Sequence, residues 1–123
     1  MEKKKVLVVD DDKITQQILD KLLENTGYKV LFANDAVYGI SLARNEKPNL
    51  IILDIELPGG NAYWVMAQIV KFTDCPIIIY SAGDPLINEA KAIEAGAKYY
   101  FHKSADKNAL LYAIRDILEE NSQ

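Results

Sequence analysis

The sequence predicts an α/β fold: a doubly wound parallel sheet of five strands in which a helix follows each strand, written (βα)5. Three short apolar runs, Val6–Val9, Leu50–Leu53 and Ile77–Tyr80, are rich in Val, Ile and Leu, as in strands that helices cover on both faces. Segments with helical periodicity separate these runs, and no repeat, linker or low-complexity tract interrupts the alternation. We therefore expect one domain over residues 1–123, with its core at about residues 5–119.

The first half of the chain supplies two strand and helix pairs. Val6–Val9 is the first strand, and the next helix carries an apolar stripe made of Ile14, Ile18, Leu19, Leu22 and Leu23. Gly27 occupies the position expected for a glycine that ends this helix. The second strand is Tyr28–Ala33, and either Asn34 or Asp35 caps the second helix. The apolar positions of that helix are Val37, Ile40 and Ala43.

The second half repeats the pattern. A third helix, Tyr63–Phe72, follows the loop ELPGGNA. Asp84 and Pro85 form an N-cap and first-turn pair for the fourth helix, which Gly96 ends. The fifth strand, Lys98–His102, is aromatic. The last helix has an apolar stripe made of Leu110, Leu111, Ile114, Ile117 and Leu118.

Composition argues against two classes of function. The formal net charge is -4, so we expect neither direct nucleic-acid binding nor attachment to anionic lipid, each of which requires a basic surface. The charged N-terminus precedes only four apolar residues, and no stretch approaches the length of a membrane span. Cys75 is the only cysteine, so no disulfide can form within the chain. We expect a cytoplasmic protein.

Polar and charged side chains follow four of the five predicted strands. They are Asp10, Asp11, Asp12, Asp54, Ser81 and Lys103. The carboxyl ends of all strands in such a sheet open on one edge, where ligands bind. If the first and third strands are neighbours, Asp10, Asp11 and Asp54 converge. Each pair of carboxylates about 5 Å apart then repels by roughly 3 kcal/mol at an effective dielectric constant near 20.

A divalent cation relieves this repulsion. Oxygen-only ligands favour Mg²⁺, which takes one or two carboxylates, a backbone carbonyl and waters and keeps a position for a phosphate oxygen. Ser81 can donate a hydrogen bond, and Lys103 can supply a positive charge, to a phosphoryl group in the same pocket. Asp54 is then the nucleophile that accepts the phosphoryl group as an acyl phosphate, and phosphohistidine is a suitable donor.

Taken in order, the segments VLVVDDD, IILDIELPGG, IIIYSAG and GAKYYFHK closely resemble the receiver domain of two-component response regulators, from Lys5 to Glu119. The resemblance implies a flavodoxin-like or CheY-like sheet with strand order 2-1-3-4-5. It implies that a sensor histidine kinase or a histidine phosphotransfer protein phosphorylates Asp54 with the help of Mg²⁺. We expect a monomer or weak dimer that acts as a phosphoacceptor switch rather than an enzyme, with at most self-catalysed phosphotransfer and autodephosphorylation.

The resemblance also assigns individual roles by position. The implied magnesium ligands are Asp10, Asp11, Asp54 and the carbonyl of Glu56. Ser81 is the hydroxyl that moves toward the phosphoryl group, Lys103 is the ion-pairing lysine, and Tyr100 is the aromatic switch on the fifth strand. The fourth helix, fifth strand and fifth helix form the face that signals to a downstream target or output domain.

Two positions depart from the family pattern. Ser104 follows Lys103 where many receivers carry a proline that forms a cis bond, so the geometry of this peptide is left open. Ala62 stands where the family often has glycine, which leaves open the backbone conformation of the loop before the third helix.

Two alternatives remain open from the sequence. Asp10, Asp12 and Ile14 resemble the opening motif of haloacid-dehalogenase-like phosphatases, with Asp10 as the nucleophile, although Asp54 then has no role. A degenerate receiver would fold in the same way but act as a binding module that is never phosphorylated.

Asp12 is expected to serve as a helix N-cap rather than as a metal ligand.

Overall fold

A computed structural model describes residues 2–119 and contains the predicted five-stranded parallel sheet. The strands, which we number β1 to β5, are Lys5–Val9, Lys29–Ala33, Leu50–Leu53, Ile77–Ser81 and Tyr99–His102. Their order in the sheet is β2-β1-β3-β4-β5 and every pairing is parallel, which confirms the predicted topology. Two short segments, Glu56–Leu57 and Gly60–Asn61, form a separate antiparallel pair after β3. The ends of the predicted domain, residues 1 and 120–123, lie outside the described residues.

One helix follows each strand of the sheet. The helices α1 to α5 are Lys13–Leu23, Ala36–Glu46, Ala62–Ile69, Pro85–Glu94 and Lys107–Glu119. The first four begin at side-chain N-caps: Asp12, Asp35, Asn61 and Asp84 each accept a hydrogen bond from a backbone N–H in the first turn. Of the two candidates for the α2 cap, the chain uses Asp35.

The helices cover both faces of the sheet, as a doubly wound fold requires. Alternate residues of β1 point to opposite sides: Leu7 and Val9 pack with α2, α3 and α4, whereas Val6 and Val8 pack with α1 and α5. All four of these side chains are buried. Within residues 2–119, none of the helices combines the length and the apolar character needed to cross a membrane.

The predicted apolar stripe of α1 is only partly a core face. Leu19 and Leu23 are buried, but Ile14 is 66% exposed and Ile18 is 37% exposed. The predicted helix end was also wrong, because α1 stops at Leu23 and Asn25 takes a left-handed backbone conformation with φ 67°. Gly27 adopts φ 86° further along, in the turn that leads to β2.

Helices α2 and α3 differ from the prediction in smaller ways. On α2 the buried residues include Ala36, Gly39 and Ala43, whereas Val37 is 63% exposed. Small residues face the sheet because α2 lies close to β1. Helix α3 ends at Ile69 and not at Phe72, and the chain continues through a turn.

Candidate functional site

The carboxyl ends of β1, β3, β4 and β5 meet at one edge of the sheet. Asp10 directly follows β1 and Asp54 directly follows β3, and their preceding residues Val9 and Leu53 are partners in the sheet. The N–H of Asp54 continues this pairing by donating to the Val9 carbonyl at 3.0 Å. Ser81 is the last residue of β4. The parallel register therefore places these residues side by side, as the sequence predicted.

Three carboxylates form an acidic cluster at this edge. Asp10, Asp11 and Asp54 each offer one carboxylate oxygen, and these three oxygens lie within 4.8 Å of one another. Asp10 is 2% exposed and Asp54 is half-buried, whereas Asp11 faces solvent. An all-oxygen donor set that includes a solvent-exposed carboxylate fits Mg²⁺, which keeps several waters when it binds to protein carboxylates.

Lys103 lies against the same cluster. Its Nζ is 2.9 Å from Oδ2 of Asp10, 3.4 Å from Oδ2 of Asp54 and 4.0 Å from Oδ2 of Asp12. Burial alone would lower the pKa of Lys103, but the hydrogen bond to Asp10 and the negative charges of Asp54 and Asp10 raise it overall. Lys103 is therefore a cation that partly neutralises the carboxylates.

Asp54, the predicted nucleophile, lies where its negative charge is disfavoured. Burial, and then the negative charge of Asp10, raise the pKa of Asp54, while the Lys103 ammonium and the N–H of Ile55 oppose the rise. The Ile55 N–H donates to Oδ1 of Asp54 at 2.8 Å. This bond fixes the orientation of the carboxylate and leaves Oδ2 on the side of Lys103.

Asp12 is held as the helix cap that the sequence predicted. Its carboxylate accepts hydrogen bonds from the Ile14 N–H at 3.0 Å and from the Thr15 hydroxyl at 2.9 Å. The bond from Thr15 is the main reason that the pKa of Asp12 is lowered. Sequence reasoning missed Thr15, although its position three residues after the cap is the spacing at which a side chain meets a cap.

Gln16 was missed as well. Its Nε2 donates to the carbonyl of Asp10 at 2.7 Å and to Oδ1 of Asn34 at 2.6 Å, and so ties the end of β1 to the end of β2. No sequence pattern indicates this contact, because it joins a glutamine on α1 to an asparagine eighteen positions away.

A cavity of about 180 Å³ opens beside Asp54. Its lining includes Asp54, Glu56, Ser81 and Asn88. Ser81 is 4% exposed, and its Oγ accepts a hydrogen bond from the N–H of Gly83 at 3.3 Å. Glu56 is exposed and belongs to the short strand pair after β3. Sequence reasoning did not single out Asn88, which reaches the cavity from α4.

The predicted switch residue, Tyr100, faces the α2, α3 and α4 side of the sheet, opposite to Tyr99 and Phe101. The hydroxyls of Tyr63 and Tyr100 are both buried and make no hydrogen bond within residues 2–119. Burial is the main cause that raises the pKa of each hydroxyl. Tyr100 thus occupies a partly buried position beside Asn88, whose side chain opposes the rise in the pKa of the Tyr100 hydroxyl.

Both departures from the family pattern take ordinary backbone geometry. No peptide bond among the described residues is cis, so the bond between Lys103 and Ser104 is trans. Ala62 is buried as the first residue of α3 and does not have a positive φ. Its N–H donates to the Ile55 carbonyl at 2.8 Å, which closes the loop after Asp54 without a glycine.

The chain is similar to known proteins over almost its whole length. The family model for the response regulator receiver domain matches residues 6–115. Protein PilH of Pseudomonas aeruginosa is 32% identical over 117 residues, which are 93% of this chain and 97% of PilH. The probable transcriptional regulator ycf27 of Porphyridium aerugineum is 34% identical over 118 residues, which are 96% of this chain but 49% of that protein. The chain thus spans about half the length of several curated relatives that it matches.

The fold comparison agrees with the sequence comparisons. The crystal structure of a CheY-like response regulator receiver domain protein from Methanospirillum hungatei JF-1 superposes with a TM-score of 0.88 and 30% sequence identity. The match covers 98% of both chains. The protein therefore belongs to the response regulator receiver domain family, whose members are the receiver domains of two-component response regulators.

Proposed function

We propose that Asp54 accepts a phosphoryl group from the phosphohistidine of a sensor histidine kinase or a histidine phosphotransfer protein. The observation that carries this proposal is the meeting of Asp10, Asp11 and Asp54 with Lys103 at one edge of the sheet. An Asp54 oxygen attacks the phosphorus atom, the bond between phosphorus and the histidine nitrogen breaks, and the imidazole leaves with the electron pair. We place this reaction in the cytoplasm.

Each residue around Asp54 has a defined part in the transfer. Asp10 and Asp11, with Asp54 and the carbonyl of Glu56, are the proposed ligands of Mg²⁺. When bound, Mg²⁺ supplies positive charge that reduces the repulsion among the carboxylates and the charge of the incoming phosphoryl group. Lys103 neutralises charge on Asp54 and can pair with a phosphoryl oxygen, since its Nζ is only 3.4 Å from Oδ2. Ser81 lines the same cavity and can donate its hydroxyl hydrogen.

The signal is a shift in population between two conformations. A phosphoryl group on Asp54 favours the conformation in which Ser81 and the following segment move inward and Tyr100 packs into the space that opens. The exposed surface of α4, β5 and α5 then changes shape and contacts a downstream target or output domain. Leu86 and Ile87 on α4 and Tyr112 on α5 give this surface large exposed apolar side chains.

The phosphatase alternative requires Asp10 as the nucleophile. Asp10 is 2% exposed, its Oδ1 accepts the N–H of Asp12 at 2.9 Å, and its Oδ2 is paired with Lys103 at 2.9 Å. Asp10 is paired with Lys103 more closely than Asp54 is, at 2.9 Å against 3.4 Å, and it does not line the cavity, so it is poorly placed to attack a substrate. Asp54 borders the open cavity, so it is the better nucleophile.

The test is phosphorylation by a small donor. We expect the wild-type chain, incubated with Mg²⁺ and acetyl phosphate, to gain the mass of one phosphoryl group that hydroxylamine removes. Asp54→Asn should gain none, whereas Asp20→Asn, which changes an exposed aspartate on α1, should behave as wild type. A wild-type chain without an adduct, and without a beryllofluoride response, would be a degenerate receiver and would overturn the proposal.

A further inference from the structure

The backbone pairing between β4 and β5 ends at the candidate site. Ser81 and His102 are partners in the sheet, and the last bond of this ladder joins the Lys103 N–H to the Ser81 carbonyl at 2.8 Å. The chain then leaves β4 through a bend at Ala82 and Gly83, which we call the 82–83 bend. The pairing of β4 with β5 stops at Ser81, so the sheet itself gives the carbonyl of Ala82 no partner.

The imidazole of His102 extends the pairing by one further residue. Its Nε2 lies 3.1 Å from the Ala82 carbonyl, and its Nδ1 lies 3.1 Å from the Ser104 N and 2.7 Å from the Ser104 Oγ. A backbone N–H can only donate, so Nδ1 must accept and carries no hydrogen. Nε2 therefore holds the hydrogen and donates it to the Ala82 carbonyl. One neutral side chain thus joins the segment after Ser81 to the segment after Lys103.

Few other contacts hold the 82–83 bend in place. Helix α4, which follows it, buries only Ala92, and Leu86 and Ile87 on its first turns are 93% and 68% exposed. Within residues 2–119, the other hydrogen bond of the bend runs from the Gly83 N–H to Ser81 Oγ at 3.3 Å, and the side chain of Asn88 lies against Gly83. Segments with little buried apolar surface have low local stability, so a single hydrogen bond can decide their position.

We propose that His102 is a positioning residue that acts as a latch. Its bond to Ala82 holds the 82–83 bend in the described arrangement and opposes the inward movement of Ser81 that accompanies phosphorylation of Asp54. The inference rests on the proposed function, because the latch acts on the movement that the phosphoryl group favours. Loss of the bond should raise the fraction of molecules competent for the active conformation and so tighten binding of a phosphoryl analogue.

Two substitutions of His102 test the hydrogen bonds of the two ring nitrogens separately. The Oδ1 of an asparagine lies roughly where Nδ1 lies, so His102→Asn keeps the acceptor for the Ser104 N–H and loses the donor to Ala82. The Nε2 of a glutamine lies roughly where the imidazole Nε2 lies, so His102→Gln keeps the donor to Ala82. His102→Phe removes both groups and is the reference for complete loss. His102 is partly exposed, so we expect all three variants to fold.

Binding is measured by titrating each protein with beryllofluoride in Mg²⁺ and following the backbone amide signal of Ile55, whose N–H contacts Asp54. We expect His102→Asn and His102→Phe to bind about three- to tenfold more tightly than wild type, and His102→Gln to stay within about twofold, as the loss of one hydrogen bond predicts. Hydrogen exchange of the Gly83 amide should quicken in the first two variants and not in the third. In the wild-type chain, a long-range proton–nitrogen NMR correlation spectrum should show that the imidazole of His102 is neutral and carries its hydrogen on Nε2.

The outcomes separate the latch from the proposed function. The latch is overturned if all three variants bind beryllofluoride with the wild-type affinity, if His102→Asn binds it more weakly, or if the wild-type imidazole carries its hydrogen on Nδ1. Each of these outcomes leaves the proposed function standing. A wild-type chain with no beryllofluoride response overturns the proposed function and the latch together. Tighter beryllofluoride binding by His102→Asn and His102→Phe, with an affinity near that of wild type in His102→Gln, supports the latch and the proposed function.

Discussion

The ammonium group of Lys103 lies 2.9 Å from a carboxylate oxygen of the buried Asp10. Three carboxylates share this edge of the sheet, and Lys103 also lies within 3.4 Å of Asp54. The lysine therefore neutralises part of the charge that a divalent cation would otherwise neutralise. Lys103 and Mg²⁺ compete for the same carboxylates, although a phosphoryl group on Asp54 would benefit from both.

Replacing Lys103 should move two affinities in opposite directions. We expect Lys103→Met to bind Mg²⁺ about three- to tenfold more tightly, because the competing cation is removed, and to bind beryllofluoride more weakly, because a partner of the phosphoryl oxygens is lost. Calorimetric titrations of both ligands check this. Lys107→Met is the matched control, since within residues 2–119 the hydrogen bonds of the Lys107 ammonium go to the carbonyls of Lys103 and Ala105 and not to a carboxylate. Weaker Mg²⁺ binding by Lys103→Met would contradict the competition.

The raised pKa of Asp54 predicts a pH-dependent effect on stability. Burial and Asp10 raise the pKa of Asp54 in the folded chain above 3.8, the ordinary value. Between the two values the folded state binds more protons than the unfolded state, so the contribution of Asp54 to the free energy of unfolding falls as the pH rises. We expect Asp54→Asn to be more stable than wild type at neutral pH without Mg²⁺, and the difference to disappear below about pH 4.

Urea unfolding at several pH values, with EDTA present, measures this difference. Asp20→Asn, on an exposed face of α1, should show no such gain at neutral pH. The nearest partner of Lys103, Asp10 at 2.9 Å, is kept in Asp54→Asn, so the lysine stays paired. A wild-type chain more stable than Asp54→Asn at neutral pH would mean that Lys103 outweighs burial.

The sequence pattern predicted the alternation of strands and helices, and the resemblance to receiver domains supplied the strand order that brings the main site residues together. Asp54 and Ser81 stand at the ends of apolar runs with sharp limits, and the parallel register then decides which strand ends are neighbours. The buried part of α1 could not be derived in the same way. Periodicity identified Ile14 and Ile18 as apolar, but whether another helix covers them is a tertiary property.

Contacts that a side chain makes with a distant segment could not be predicted from the sequence either. The bonds of Gln16 to Asn34 and of His102 to Ala82 depend on the rotamers of those side chains and on loop paths that no periodic pattern encodes. By contrast, the helix caps at Asp12 and Asp84 were predicted because a cap depends on a few neighbouring residues.

The contact of α2 with β1 predicts that Gly39 does not tolerate a larger residue. A Cβ atom at Gly39 would lie 2.8 Å from Cγ1 of Val9, which is closer than atoms normally pack. Alanine gains about 1 kcal/mol of helix propensity over glycine, but overpacking typically costs about 1–3 kcal/mol. We expect Gly39→Ala to lower the free energy of unfolding in urea, and Val9→Ala to cost less in the Gly39→Ala background than in wild type. Additive effects of the two substitutions would contradict the close contact.

Adjacent aspartates should have separable effects. Asp11 belongs to the carboxylate cluster and faces solvent, whereas the carboxylate of Asp12 is bonded to Ile14 and Thr15 as the cap of α1. We expect Asp11→Ala to unfold in urea like wild type without Mg²⁺ but to lose the stabilisation that Mg²⁺ gives, which is about 2.7 kcal/mol at one hundred times the dissociation constant. Asp12→Ala should be less stable in both conditions and should keep the full magnesium increment. Loss of that increment in Asp12→Ala would place Asp12 among the ligands, and its persistence in Asp11→Ala would remove Asp11 from them.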